Sequence, residues 1–163
     1  MTPSSANEWI TKLDMEPHPE GGYYKRTFAS DDYTATDDER MLYTSIYFLL
    51  RAGDISHFHQ LQSDELWYFH AGSPLHIHMI DEQGEYTMKK LGVNPDNEES
   101  LQVLVPKNTI FGSSVEADGD YGLAGCMWRP ALILRTLSFL HKRSCLKNTR
   151  STGKLSKKWP MKR

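Results

Sequence analysis

Cysteine is nearly missing from this chain: Cys126 and Cys145 are the only two among 163 residues. A pair without motif spacing excludes a disulfide framework and points to free thiols in a cytoplasmic protein. Long apolar runs are missing as well. No stretch approaches the roughly 20 residues that a membrane-spanning helix needs. The start of the chain, where Glu8 and Asp14 flank Trp9, Ile10 and Leu13, lacks the pattern of a secretory signal. No internal repeat is apparent. Acidic residues are missing from one end: residues 129–163 hold 11 of the 19 Lys and Arg and no Asp or Glu. Residues 1–128 hold the other 8 basic residues against all 21 acidic ones, a net of −13, so the overall charge of −2 hides an asymmetry.

What is present reads as one soluble domain. Hydrophobic residues make up 39% and charged residues 25%, ordinary for a globular chain long enough to bury a core. A serine cap at Ser4 or Ser5 and the spacing of Trp9, Ile10 and Leu13 predict a short helix, whose apolar face packs on the outside of the domain. Pro17 and Pro19 end it, and Glu20-Gly21-Gly22 turns the chain into a strand over 23–28. Further strands are predicted over 41–50, 65–69, 75–79, 86–91, 101–105, 109–115 and 121–127, with polar turns between them. The acidic run 30–40 reads as a surface loop or a disordered lid. Leu75, Ile77 and Met79 alternate with His76 and His78, so if the aliphatic residues face inward these histidines face solvent or a partner.

The chemistry gathers between Gly53 and Gly72. His57 and His59 are two apart, so on a strand both imidazoles point to one face. Gln60–Asp64 is short enough for a hairpin that would bring Glu65 beside them, with Trp67 and Phe69 on the face of Glu65. Two imidazoles and a carboxylate form a facial triad suited to a divalent iron, manganese, zinc or nickel ion.

The spacing of Gly53, His57, His59, Glu65 and Gly72 resembles the first motif of the cupin superfamily. Pro106-Lys107-Asn108 resembles its second, with Asn108 in place of a glycine because Asn tolerates the left-handed backbone region. Phe111 stands where the family's fourth metal ligand belongs. Three further stretches, residues 13–24, 43–50 and 63–67, resemble the cupin-5 family, also called DUF985. This resemblance covers residues 8–127. It implies an all-β, jelly-roll-like double-stranded β-helix barrel with a short N-terminal helix, a buried pocket and a homodimer.

The resemblance sets a cupin domain at 1–127 and a basic tail at 128–163. Related cupins continue after the last strand with Val-Ala-Pro-Gly-Phe and an acidic, aromatic run. A reading-frame shift accounts for both the lost resemblance and the charge break. With permitted codons for residues 127–137, the shifted frame reads Val-Ala-Pro-Gly-Phe-Asp-Phe-Glu-Asp-Phe. Read as a genuine segment, the tail is a disordered extension or a basic arm. It lacks the regular basic and aromatic interleaving of a nucleic-acid binder, so no nucleic-acid partner is expected.

The functional expectation is a small-molecule-binding cupin. Its pocket is expected to draw on Glu20, Tyr24, His57, His59, Glu65, Trp67 and Phe111, a mix of aromatic walls and polar groups suited to a sugar or nucleotide. His57, His59 and Glu65 are the catalytic candidates. Proton transfer from them would resemble the sugar-nucleotide epimerases and isomerases among the cupins. Two alternatives stay open: an oxygenase or isomerase holding a metal on those three residues, and a dimer that binds or supports without catalysis.

Overall fold

The computed structural model describes residues 5–35 and 39–131, and the strand at 138–139 by its backbone. The helix α1 (Ala6–Lys12) opens on Ser5, whose hydroxyl accepts from the Glu8 N–H while the Glu8 carboxylate accepts from the Ser5 N–H. This reciprocal cap satisfies two of the free donors at a helix start. Trp9, Ile10 and Leu13 then pack on Leu49, Tyr121 and Leu123, and the Trp9 indole donates to the Tyr121 hydroxyl at 3.0 Å. The helix therefore covers the outer face of a sheet.

Two six-stranded sheets make the barrel. The first is ordered β1 (Glu16–Pro17), β2 (Tyr23–Ala29), β3 (Thr44–Arg51), β11 (Tyr121–Arg129), β5 (Asp64–Gly72) and β9 (Gln102–Val105). The second is ordered β12 (Ser138–Phe139), β4 (Ile55–Gln60), β10 (Ile110–Val115), β6 (Leu75–Ile80), β7 (Tyr86–Leu91) and β8 (Glu99–Ser100). Every pairing is antiparallel except β7 with β8. Ile46, Phe48, Leu50 and Trp67 of the first sheet meet Leu75, Ile77, Met79 and Phe111 of the second in one buried core. Each such side chain contributes roughly 1.5–3 kcal/mol through burial.

The predicted strands all form, with ends shifted by a few residues. Two differences bear on the site. Strand β11 runs on to Arg129, because Trp128 pairs with Thr44 on one side and Glu65 on the other. The expected hairpin between β4 and β5 does not form: they belong to opposite sheets. The link 61–63, with Leu61 and Ser63 buried, is tied to the turn after β9, where Asn108 N–H donates to the Leu61 carbonyl at 2.7 Å and Lys107 N–H to Asp64 at 2.8 Å. Those bonds lead the chain across the barrel. Asn108 does take the left-handed backbone expected of it, with φ 64°. The basic tail beyond residue 131 and the run 36–38 of the acidic loop lie outside the described residues, the backbone of 138–139 apart.

Candidate functional site

Strand register places a row of side chains on the inner face of the first sheet. Glu16 pairs with Tyr24, Tyr24 with Phe48, Arg26 with Ile46, and Thr44 with Trp128. Residues two apart share a face, so Glu16, Tyr24, Arg26, Thr44, Ile46 and Trp128 gather around one cleft of about 360 Å³, completed by His18 and Pro19.

The segment between β1 and β2 closes the back of this cleft by bridging the two sheets. His57 N–H of the second sheet donates to the Glu20 carbonyl at 2.8 Å, while His18 N–H donates to Gly22 O at 2.9 Å. The crossing is possible because Gly21 and Gly22 have φ of 111° and 76°. A Cβ on Gly21 would lie 2.1 Å from the Ile55 carbonyl oxygen, and one on Gly22 2.6 Å from that of Leu49. No side chain fits at either position.

Three polar side chains meet behind the cleft. The Glu20 Oε2 lies 3.3 Å from His59 Nε2 and 3.7 Å from His18 Nδ1. Hydrogen bonding assigns the tautomers. His59 Nδ1 is 2.7 Å from the His57 carbonyl, which can only accept, so this nitrogen carries a proton. Its Nε2 then faces Glu20, and a lone pair opposed to a carboxylate would repel, so the pair holds one further proton between them. His18 Nδ1 accepts from the Glu20 N–H at 3.2 Å, which leaves the His18 proton on Nε2. Burial lowers both imidazoles to about 4, with the nearby His18 adding to the effect at His59 and the His57 carbonyl opposing it. His18 is wedged edge-on against Tyr24 and Phe48, with ring centroids 4.8 and 5.6 Å apart, and His59 packs against Phe111 at 4.1 Å.

A second buried group adjoins Trp128. The Glu65 carboxyl is pushed up to about 8 by burial, against the pull of Cys126, Trp67 and Trp128 beside it. Its Oε2 and both indole Nε1 atoms fall short of a complete hydrogen bond. Burial, with Glu65 and Glu20 nearby, holds the Cys126 thiol far above its ordinary range.

Of the residues expected to build a pocket, Tyr24 lines the cleft. Glu20, His59, Glu65, Trp67 and Phe111 are buried behind it, and His57 is half-buried on β4. His59 is turned to Glu20, while Glu65 sits among indoles. Among the described residues no three His, Cys, Asp or Glu side chains converge to hold a metal ion, so as placed His57, His59 and Glu65 do not make a ligand set. The sequence reading passed over His18, Glu16, Arg26, Thr44, Ile46 and Trp128. Only His18 carried a signal, two residues before Glu20 in a proline-bounded turn. His76 and His78 point outward as expected, since Leu75, Ile77 and Met79 are buried, and the Tyr86 hydroxyl is 2.8 Å from His78 Nδ1. No helix among the described residues is long and apolar enough to cross a membrane.

With this geometry in hand, comparison with known proteins places the chain. The family model Cupin_5, described as cupin superfamily (DUF985), matches residues 7–140. A solved hypothetical protein from Leishmania major is 34% identical with a TM-score of 0.89, over 98% of this chain and 100% of its own. A solved protein from Shewanella oneidensis is 40% identical with a TM-score of 0.88, over 99% of each chain. More distantly, an oxalate decarboxylase of Bacillus subtilis, a protein with Mn(II) centres, is 14% identical with a TM-score of 0.54, over 77% of this chain and 30% of its own; that likeness is one of fold. No curated protein matches. The chain belongs to the Cupin_5 family.

Proposed function

We propose that this member of the Cupin_5 family binds a small polar metabolite of the sugar or nucleotide-sugar class in the cleft and moves a proton on it, as an isomerase or epimerase does. The observation that carries this reading is the line His18, Glu20, His59, which runs from the cleft wall into the interior with contacts of 3.7 and 3.3 Å. His18 gives its Nε2 proton to a ligand atom, and, as the Glu20 N–H releases Nδ1, the proton shared by Glu20 and His59 replaces it there. Run backwards, the same path withdraws a proton, and an epimerase needs both directions. Tyr24 is the second acid at the cleft: its hydroxyl bonds to Glu16, which raises its pKa and keeps it protonated.

The test is solvent exchange. Incubation with sugars and nucleotide sugars in deuterated water is expected to place deuterium on a ligand carbon, and Glu20→Gln, which holds an amide where the shared proton sits, is expected to slow it about 100-fold or more. Ligands that bind yet show no exchange in the wild type would leave a binding protein without this chemistry. Metal analysis is the companion measurement. About one iron, manganese, zinc or nickel per chain, lost in His59→Ala and Glu65→Ala, would replace the proton path with a metal site.

A further inference from the structure

The three residues that the sequence offers as a ligand set each face something else, and the reasons lie in the strands. Between two paired positions β4 steps three residues, from His59 to Ser56, while β10 steps two, from Phe111 to Ser113. The extra residue is a bulge, and the rule that residues two apart share a face does not carry across it. What His57 brings to His59 is its carbonyl, 2.7 Å from Nδ1. Glu65 is held on its own sheet. It pairs with Trp128 as Trp67 pairs with Cys126, and both indoles and the thiol turn to its carboxyl.

One pair of donors does converge. His59 Nε2 and Glu20 Oε2 lie 3.3 Å apart, close enough for both to touch an ion that takes such ligands at about 2.0–2.2 Å. A third donor decides whether an ion is held, since a catalytic metal uses three protein ligands. Two side chains stand where that donor would come from. His18 Nδ1 is 3.7 Å from the same Oε2, but its lone pair is directed at the Glu20 N–H at 3.2 Å. Phe111 is buried, pairs with His59 across β10 and β4, and lays its ring against the imidazole with centroids 4.1 Å apart. A phenyl ring brings no lone pair there.

We infer that Phe111 is the residue that keeps this centre free of a divalent cation: the centre is a latent metal site one donor short, which Phe111→His completes together with His59 and Glu20. With two donors the pair keeps its shared proton, which an incoming ion would expel. The inference rests on where these atoms lie, so it holds whether or not the line from His18 moves a proton on a ligand.

Uptake is measured on the full chain, stripped with a chelator and titrated with manganese and zinc salts, by counting the metal retained through gel filtration. The wild type and Phe111→Leu, which removes the ring without adding a donor, are expected to retain less than about a tenth of an ion per chain, and Phe111→His about one, lost again when His59→Ala is added. Zinc is expected to bind Phe111→His at least about 100-fold more tightly than the wild type. An ion held by the wild type and lost in His59→Ala would overturn the inference, as would a folded Phe111→His that takes no more than the wild type, or a Phe111→Leu that takes as much as Phe111→His. Metal that the wild type keeps in His59→Ala sits outside the centre and supports the inference. One measurement needs no variant at position 111: the ring nitrogen resonances of His59 in the wild type are expected to stay in place when zinc is added, and a shift at Nε2 would overturn the inference. A chain that takes no ion and shows no solvent exchange would remove the proton path and leave this inference standing.

Discussion

At the scale of the residue, Glu65 and His18 set opposing pH dependences. Glu65 is raised from 4.5 to about 8 in the fold, so between those values the folded chain keeps a proton that the unfolded chain has released. Its contribution to stability is therefore greatest at low pH and is lost as pH rises towards 8. His18 is depressed from 6.5 to about 4, so its contribution is lost as pH falls through that window. From 4.5 to 6.5 the Glu65 slope is opposed by those of both depressed histidines, His18 and His59, so the net contribution rises with pH. From 6.5 to 8 the Glu65 slope remains, and thermal melts are expected to fall. Glu65→Gln fills the same volume and stays neutral, and is expected to raise stability at pH 8 by about 2 kcal/mol or more, on the order of 5 °C in Tm. Unchanged melting from pH 6.5 to 8 in both proteins would show that Glu65 ionises freely.

At the scale of the element, the bridge between β1 and β2 holds the site together, and its two glycines are the hinge on which it crosses. Gly21→Ala puts a methyl against the Ile55 carbonyl, so the bridge must shift and carry Glu20 away from His59. The variant is expected to lose about 1–3 kcal/mol of stability and to abolish ligand binding in a titration with sugars and nucleotide sugars; full binding would mean that the bridge is not part of the site. The capped helix behaves as a separate unit on the outer face. Ser5→Ala is expected to cost about 1 kcal/mol in denaturant melts while leaving binding untouched, and a loss of binding would tie α1 to the cleft.

At the scale of the whole molecule, the outer face of the first sheet carries an apolar row. Leu104 is 50% exposed and pairs with Leu66, which pairs with Met127. A second copy of the chain is the expected cover, as the family resemblance implies. Sedimentation is expected to give about twice the 18.8 kDa of one chain, and Leu104→Glu together with Leu66→Glu to give the monomer mass. A wild-type monomer would end that expectation. The basic tail stands apart from this surface, and sequencing the gene decides its origin, since codons for residues 127–137 that cannot be read as the family's continuation would remove the frame shift.

The sequence by itself determined the strands, the outer helix, the Asn108 turn and the family, because alternating apolar residues, a serine cap and turn residues act over a few neighbours. It also marked Glu20, His59 and Glu65 as inward polar groups, since each shares a strand face or a glycine-bounded turn with aromatic residues. What only the tertiary structure decided is which of these groups meet. His59 and Glu65 lie six residues apart but on opposite sheets, because the link between them is bonded to a turn more than forty residues later. His59 meets Glu20 instead, brought across the barrel by a bridge whose glycines admit no side chain. Trp128 and Arg26 reach one cleft only through the register of β11, β3 and β2. Local patterning specifies which face a side chain takes; which side chains share that face is set by long-range pairing, and the site is built from the latter.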